Sequence, residues 1–260
     1  MDRSIVIYPE PGYEGDRFVE PAQNNWHVPN QEVLSRLKAD GWRVKVWPCE
    51  VDPEKDVALA FDHPIYDCPI LSHKASMCVN LEPPVIRPRF FARIHGWGYK
   101  KILSCFRPYC DGKIVFWSAF PAVRYKGPLS SVRDRWRCAI SSGDKRFPHP
   151  EAMYERRRQI YLAYGKHIDL WGWGWQGDPE TMNAVNFMGP TDNKVLTLSR
   201  YKIATVIENM VIDGFTSEKY WDAMQAGCMI DYTGSVPDYP MEEAFPEAWA
   251  GRILAELNSL

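Results

Sequence analysis

Short apolar runs rich in β-branched residues alternate along this chain with segments whose apolar positions recur at helical spacing. That is the sequence form of βαβ units with mostly parallel sheets. In the first half, residues 5–8 predict a strand, 31–40 a helix capped by Asn30 and stopped by Gly41, and 42–47 the next strand. Residues 56–61 and 77–81 continue the series, 89–95 are helical, and 101–104 and 113–117 are strands. Residues 121–137, with Gly127, Pro128 and two serines among charges, predict a connector, so the chain divides into lobes of residues 1–127 and 128–260. The second lobe predicts strands at 138–141, 168–171, 203–207 and 229–232, helices at 151–164 and 217–226, and a loop from 172 to 202. A last helix at 242–257 is free to pack back on the first lobe.

Composition narrows the class. With 45% hydrophobic and 25% charged residues over 260 positions, the chain can bury a core for one or two domains. The 31 basic and 33 acidic residues are interspersed, for a net charge of −2, and so announce neither a nucleic acid nor a membrane partner. The seven cysteines (Cys49, Cys68, Cys78, Cys105, Cys110, Cys138, Cys228) fit no zinc spacing and read as free thiols of a reducing compartment. No apolar run approaches the ~20 residues that span a bilayer, and the expectation is a cytoplasmic protein or one peripheral to a membrane. No Gly-x-Gly-x-x-Gly follows the first strand and no P-loop occurs, which disfavours the usual dehydrogenase and NTPase readings.

Ligands of open α/β sheets bind beyond the carboxyl ends of strands. The strand at 203–207 ends in Glu208-Asn209, and after Asp213-Gly214 a helix opens at Thr216-Ser217-Glu218-Lys219. Thr216 or Ser217 can cap that helix, its free first-turn N–H groups attract an anion such as a pyrophosphate, and Lys219 adds a full charge. The tetrad alone is equally what an ordinary capped surface helix shows.

The wider segment is more specific. Tyr201-Lys-Ile-Ala-Thr-Val-Ile-Glu-Asn209, Phe215-Thr-Ser-Glu-Lys219, Ala226-Gly227 and Tyr232-Thr-Gly234 together resemble, in order and spacing, the donor-site signature of the α-1,3-fucosyltransferases. A looser block, Tyr154-Glu-Arg-Arg-Arg-Gln-Ile160 followed by Ile168-Asp-Leu-Trp-Gly-Trp-Gly-Trp175, is similar to that family's Arg-containing helix and following strand end. Met210 replaces the family's serine, Phe215-Thr216-Ser217 replaces Tyr-Val-Thr, and a usual proline is missing at Met229-Ile230-Asp231; these departures bear on which sugar is used. The resemblance covers roughly residues 138–237.

The resemblance implies a GT-B-like α/β fold, with two Rossmann-type βαβ lobes and the active site in the cleft between them. It implies inverting transfer of a sugar, L-fucose from GDP-fucose by family default, to a hydroxyl of a glycan acceptor. The donor site is expected to use Arg157 (with Arg156 and Arg158 as neighbours in an unfixed register), Glu208, Asn209, Phe215, Thr216, Ser217, Glu218 and Lys219. Glu82, before Pro83-Pro84, matches the place of the family's general base, with Asp62 and His63 as rivals. No cofactor or metal is required by this reading, and no Asp-x-Asp motif occurs. Trp171, Trp173 and Trp175 alternate with Gly172 and Gly174 and suit tight packing or stacking on a sugar or base. Two rivals stand beside this one: a transferase using another GDP- or UDP-sugar, perhaps on DNA through Arg133, Arg135, Arg137, Lys145 and Arg146, and a nucleotide-sugar-binding protein without turnover. Oligomeric state is not legible in the sequence.

Overall fold

The computed structural model describes residues 3–9, 27–62, 69–117, 121–143 and 149–260. The chain divides into one unit of Met1–Val123, Asp213–Phe215 and Pro237–Leu260 and another of Arg124–Ile212 and Thr216–Val236. The first division falls four residues before the expected 127, and the last 24 residues group with the N-terminal unit.

In the first unit, β1 (Ser4–Tyr8), α1 (His27–Ala39), β2 (Arg43–Val46), β3 (Asp56–Phe61), β4 (Ser76–Asn80), α2 (Pro88–Phe91), β5 (Lys101–Ser104) and β6 (Ile114–Phe116) follow one another. The six strands pair in parallel in the order β2-β1-β3-β4-β5-β6. β1 and β4 are buried at every position, as central parallel strands covered on both faces must be. Helix α1 ends at Gly41, which takes φ 81°, a conformation that costs glycine nothing. It begins at His27, so Asn30 sits inside the first turn and does not cap it; Pro29 is tolerated there because first-turn N–H groups have no helical partner.

The second unit contains β7 (Arg135–Ile140), α3 (Tyr154–Tyr164), β8 (Asp169–Trp171), α4 (Pro179–Ala184), β9 (Asn186–Gly189), α5 (Lys194–Leu198), β10 (Tyr201–Ile207), α6 (Glu218–Gln225) and β11 (Met229–Thr233). Its five strands, again all parallel, run β11-β10-β7-β8-β9. One face carries a core of Cys138, Val195, Leu198, Tyr201, Ala204 and Ala223; the other carries Ala139, Tyr161, Leu170, Trp175 and Ile207. Helix α7 (Pro246–Leu257) closes the chain and packs along α1 in the first unit.

Three further expectations need correction. β7 starts at Arg135, inside the expected connector: Arg135 and Arg137 hide its alternation because their partners, Asp169 at 2.7 Å and Asp231 at 2.5 Å, lie on other strands. The stretch 172–202 holds α4, β9 and α5, where a loop was expected. Both helices carry readable caps, Asp178 accepting from Thr181 N–H at 3.1 Å and Asn193 from Leu196 N–H at 2.9 Å, but they are too short for helical periodicity to register. The last helix starts at Pro246, after a separate 3-10 turn at Met241–Ala244, because the ring of Pro246 holds Phe245 extended (ψ 153°). Among the described residues no helix is long and apolar enough to cross a membrane. Cys49, Cys78, Cys105, Cys110, Cys138 and Cys228 are free thiols, and Cys68 lies outside the described residues.

Candidate functional site

In the second sheet the chain leaves β7 toward β8 and β9, then crosses back to β10 and β11 on the other side. The carboxyl ends of β7 and β10 therefore flank the switch point, where an open α/β sheet leaves a crevice. The residue that follows β10 is Glu208, fully buried. Its Oε1 accepts from the Ser217 N–H at 2.9 Å and from the Tyr232 hydroxyl at 3.2 Å, tying the start of α6 to the end of β11. Oε2 accepts no hydrogen bond among the described residues and lies 3.9 Å from Lys219 Nζ. Gly234 is required by this fastening: a β-carbon there would overlap the Tyr232 hydroxyl and approach Glu208 Cγ to 2.8 Å.

Ser217, not Thr216, caps α6, its Oγ accepting from Lys219 N–H at 3.4 Å and Lys219 Nζ at 3.1 Å. Thr216 is buried and donates to the Ser235 carbonyl at 2.8 Å, which holds the turn before the helix. Phe215 is buried with its ring centroid 5.1 Å from that of Phe106, and the segment Asp213–Phe215 groups with the first unit. Glu218 lies in the first turn of α6, where the helix dipole favours a carboxylate. It accepts from Lys194 Nζ at 3.1 Å and has Lys219 Nζ at 3.8 Å. Burial raises its pKa, but the charges of Lys219 and Lys194 outweigh that and hold the carboxyl at about 2.

The three arginines of α3 differ in burial and in partners. Arg156 is exposed, and Arg158 is spent on Asp178 and Glu180, each at 3.2 Å. Arg157 is buried, its guanidinium donating to the Ile207 carbonyl at 2.9 Å and to Asn209 Oδ1 at 3.0 Å. Met153 N–H donates to the Asn209 carbonyl at 2.9 Å, which seats the start of α3 on the loop after β10. With its Oδ1 engaged, Asn209 retains its amide Nδ2 as a donor. Arg157, Asn209, Glu208, Ser217, Glu218 and Lys219 are thus linked around the end of β10 by interactions within one unit.

Glycines let the neighbouring loops close on each other. A β-carbon on Gly172, whose φ is 138°, would collide with the Ser141 carbonyl oxygen after β7, and one on Gly143 would overlap the backbone of Gly174. Trp175 is buried and donates Nε1–H to that same Ser141 carbonyl at 3.0 Å; Trp171 donates to the Tyr201 hydroxyl at 3.0 Å; Trp173 is 69% exposed.

In the first unit, Glu82 lies two residues beyond β4, half-buried, before the buried Pro83 and Pro84. Its backbone is held by Asp62, the residue after β3, which takes φ 42°. Asp62 Oδ1 accepts from Leu81 N–H at 2.8 Å, Glu82 N–H at 3.1 Å and Asn80 Nδ2 at 3.0 Å. Burial pushes the Asp62 carboxyl up against these hydrogen bonds. Asp62 is therefore a fastening of the Glu82 turn, while His63 lies outside the described residues. Of the basic patch, Arg133 caps α6 through the Ala226 and Gly227 carbonyls at 2.6 and 2.8 Å, and Arg135 and Arg137 pair with Asp169 and Asp231. Lys145 and Arg146 lie outside the described residues.

No family model and no curated protein matches the chain. Solved structures do. The fold is shared with α1,3-fucosyltransferase structures. One, an α1,3-fucosyltransferase with GDP, is 14% identical with a TM-score of 0.51, over 99% of this chain and 80% of that one. A second, an α1,3-fucosyltransferase, is 13% identical with a TM-score of 0.51, over 98% and 81%. The two parallel α/β sheets are thus the GT-B-like fold that the resemblance implied.

Sequence reasoning overlooked Lys194 and Asp222, and read Tyr232 only as part of the signature without its bond to Glu208. Asp222 had a signal: it stands four residues after Glu218 on one helix face, a like-charge spacing that needs a cation from elsewhere. Lys194 had only its place after the capping Asn193.

Proposed function

We propose that the protein is an inverting glycosyltransferase that takes a sugar from a nucleoside diphosphate sugar, GDP-fucose by preference, and moves it to a hydroxyl of a glycan. The observation that carries this reading is the linked set of Arg157, Asn209, Glu218 and Lys219 at the switch-point edge of the second sheet. Asn209, Glu218 and Lys219 belong to the signature and Arg157 to the looser block, and together they combine cations, a helix N-terminus and polar acceptors. The first-turn N–H groups of α6 and Lys219 stabilise the diphosphate as it leaves, where negative charge grows. Glu218 accepts from hydroxyls of the ribose or sugar, and Asn209 Nδ2 donates, with Arg157 orienting it and adding charge. The fold shared with a fucosyltransferase that binds GDP supports a guanine nucleotide as the donor.

Glu82 is proposed as the base. The acceptor hydroxyl oxygen attacks the anomeric carbon while Glu82 takes its proton, and the bond to the diphosphate oxygen breaks with its electron pair, giving the inverted glycoside and a free nucleoside diphosphate. The test is calorimetry and thermal shift with GDP, GDP-fucose, GDP-mannose and UDP-sugars. A ligand at a hundredfold its Kd stabilises the fold by about 2.7 kcal/mol. Selective stabilisation by GDP-fucose that is lost in Lys219→Ala is expected; preference for a UDP-sugar overturns the guanine donor, and indifference to every donor overturns the transferase.

A further inference from the structure

Glu218 is the middle of a chain of five charged side chains that alternate in sign. Lys194 Nζ lies 3.1 Å from Glu218 Oε1 and 3.9 Å from Asp222 Oδ2. Lys219 Nζ lies 3.8 Å from the same Glu218 oxygen and 3.9 Å from Glu208 Oε2. The order is Asp222, Lys194, Glu218, Lys219, Glu208. Three carboxylates against two ammonium groups leave one uncompensated negative charge when all are ionised, beside a helix N-terminus read above as an anion site. Asp222 faces Lys194 from α5 and Glu218 and Lys219 from its own helix. β10 and β11, which pack beneath α6, bring Glu208 and Tyr232 to the far end of the chain.

We propose that Lys194 and Asp222 are positioning residues of the donor site: Lys194 sets the orientation and charge of Glu218, and binding of the nucleoside diphosphate is coupled to protonation of Asp222. The proposal rests on the donor-site reading and extends it to two residues outside the signature's polar set. Glu218 is partly exposed, and a flexible carboxylate there would lose its alignment; the hydrogen bond from Lys194 restricts it. Glu218 and Asp222, one turn apart on α6, would repel without Lys194 between them. Burial raises Asp222 to about 7, with Glu218 adding to the rise and Lys194 and Lys219 opposing it, whereas Glu218 stays ionised throughout. As pH rises through about 7, Asp222 therefore adds one negative charge to the chain. An incoming anion favours the neutral form, and by linkage its binding takes up a proton.

The experiment is calorimetric titration of GDP and of UDP into the parent, Asp222→Asn, Lys194→Met and Lys194→Arg. It is run at pH 6 and pH 8 in buffers of different ionisation enthalpy, so that protons taken up are counted. At pH 8 Asp222→Asn is expected to bind GDP about tenfold more tightly than the parent, with the two converging at pH 6 and only the parent taking up a proton on binding at the higher pH. The terminal phosphate of the nucleotide, with its own pKa near ~6, titrates identically in both and cancels from the comparison. Lys194→Met is expected to weaken binding about tenfold and Lys194→Arg to restore most of it, a rescue that loss of folding stability alone would not show. Equal pH dependence and proton count in the parent and Asp222→Asn, or parent-like affinity in Lys194→Met, overturns the proposal while leaving the donor site standing. Failure of the parent to bind either nucleotide overturns both.

Discussion

Asp62 in one unit and Glu208 in the other are buried carboxylates placed one residue past a parallel strand, and each accepts backbone N–H from the loop it fastens. Their neighbours differ. Around Asp62 the hydrogen-bond partners are backbone N–H groups and the amide of Asn80, with the charge of Arg87 also acting on it, and the acid on the turn it holds is Glu82. Around Glu208 the partners lead into Lys219, Glu218 and Lys194, with Arg157 and Asn209 on the same loop. The same device at a strand end thus holds, in one unit, a turn presenting one acid and, in the other, a charged cluster at a helix N-terminus; these are the parts proposed above as base and anion site.

The sharpest way to break this comparison is Glu82→Gln. It should lower kcat by about 10²–10⁴ with little change in Tm, as loss of a general base does. Activity that survives the substitution would remove Glu82 from the chemistry. Next in size, Lys219→Ala should reduce kcat/KM by about 10²-fold and abolish the nucleotide's thermal shift. Asp62→Ala should act on stability instead, costing about 3 kcal/mol in urea unfolding because two backbone N–H groups and an amide lose their acceptor. A fall in kcat without that loss would make Asp62 the base.

Gly234→Ala is expected to cost about 1–3 kcal/mol, since Tyr232 and Glu208 must both move to admit a methyl group. The smallest effect concerns acid stability. Glu218 is held at about 2 in the folded chain against an ordinary 4.5, so its contribution is complete above pH 4.5 and is lost as pH falls toward 2. After discounting for its partial exposure, that contribution is roughly 1 kcal/mol. The parent should lose that much more than Glu218→Gln between pH 5 and pH 2.5 by urea titration, and identical acid limbs would mean the two lysines do not hold the carboxylate as described.

Much of the fold is legible in the sequence because the strands are central and parallel. Runs such as Ser4–Tyr8 and Asp56–Phe61 are buried almost throughout and therefore apolar in sequence. β7 reads short because Arg135 and Arg137 look like surface residues until Asp169 and Asp231 are brought beside them. α4, β9 and α5 escape a reading by period because four to six residues hold too little of it, although Asp178 and Asn193 mark two of the starts. In the site, spacing alone delivers Glu208-Asn209 and the Ser217-capped helix to one sheet edge, since both flank a single short loop.

By itself the sequence determined the two parallel sheets, the start of α6 and the identity of its polar residues, because burial pattern and capping are local and repeat at fixed spacing. Only the tertiary structure decided which arginine of three turns inward, which acid is a fastening, and that Lys194 stands between Glu218 and Asp222. Those choices depend on side chains brought together from distant positions, 157 with 209, 62 with 82 and 194 with 218, and the partner that balances a buried charge is not written beside it in the chain.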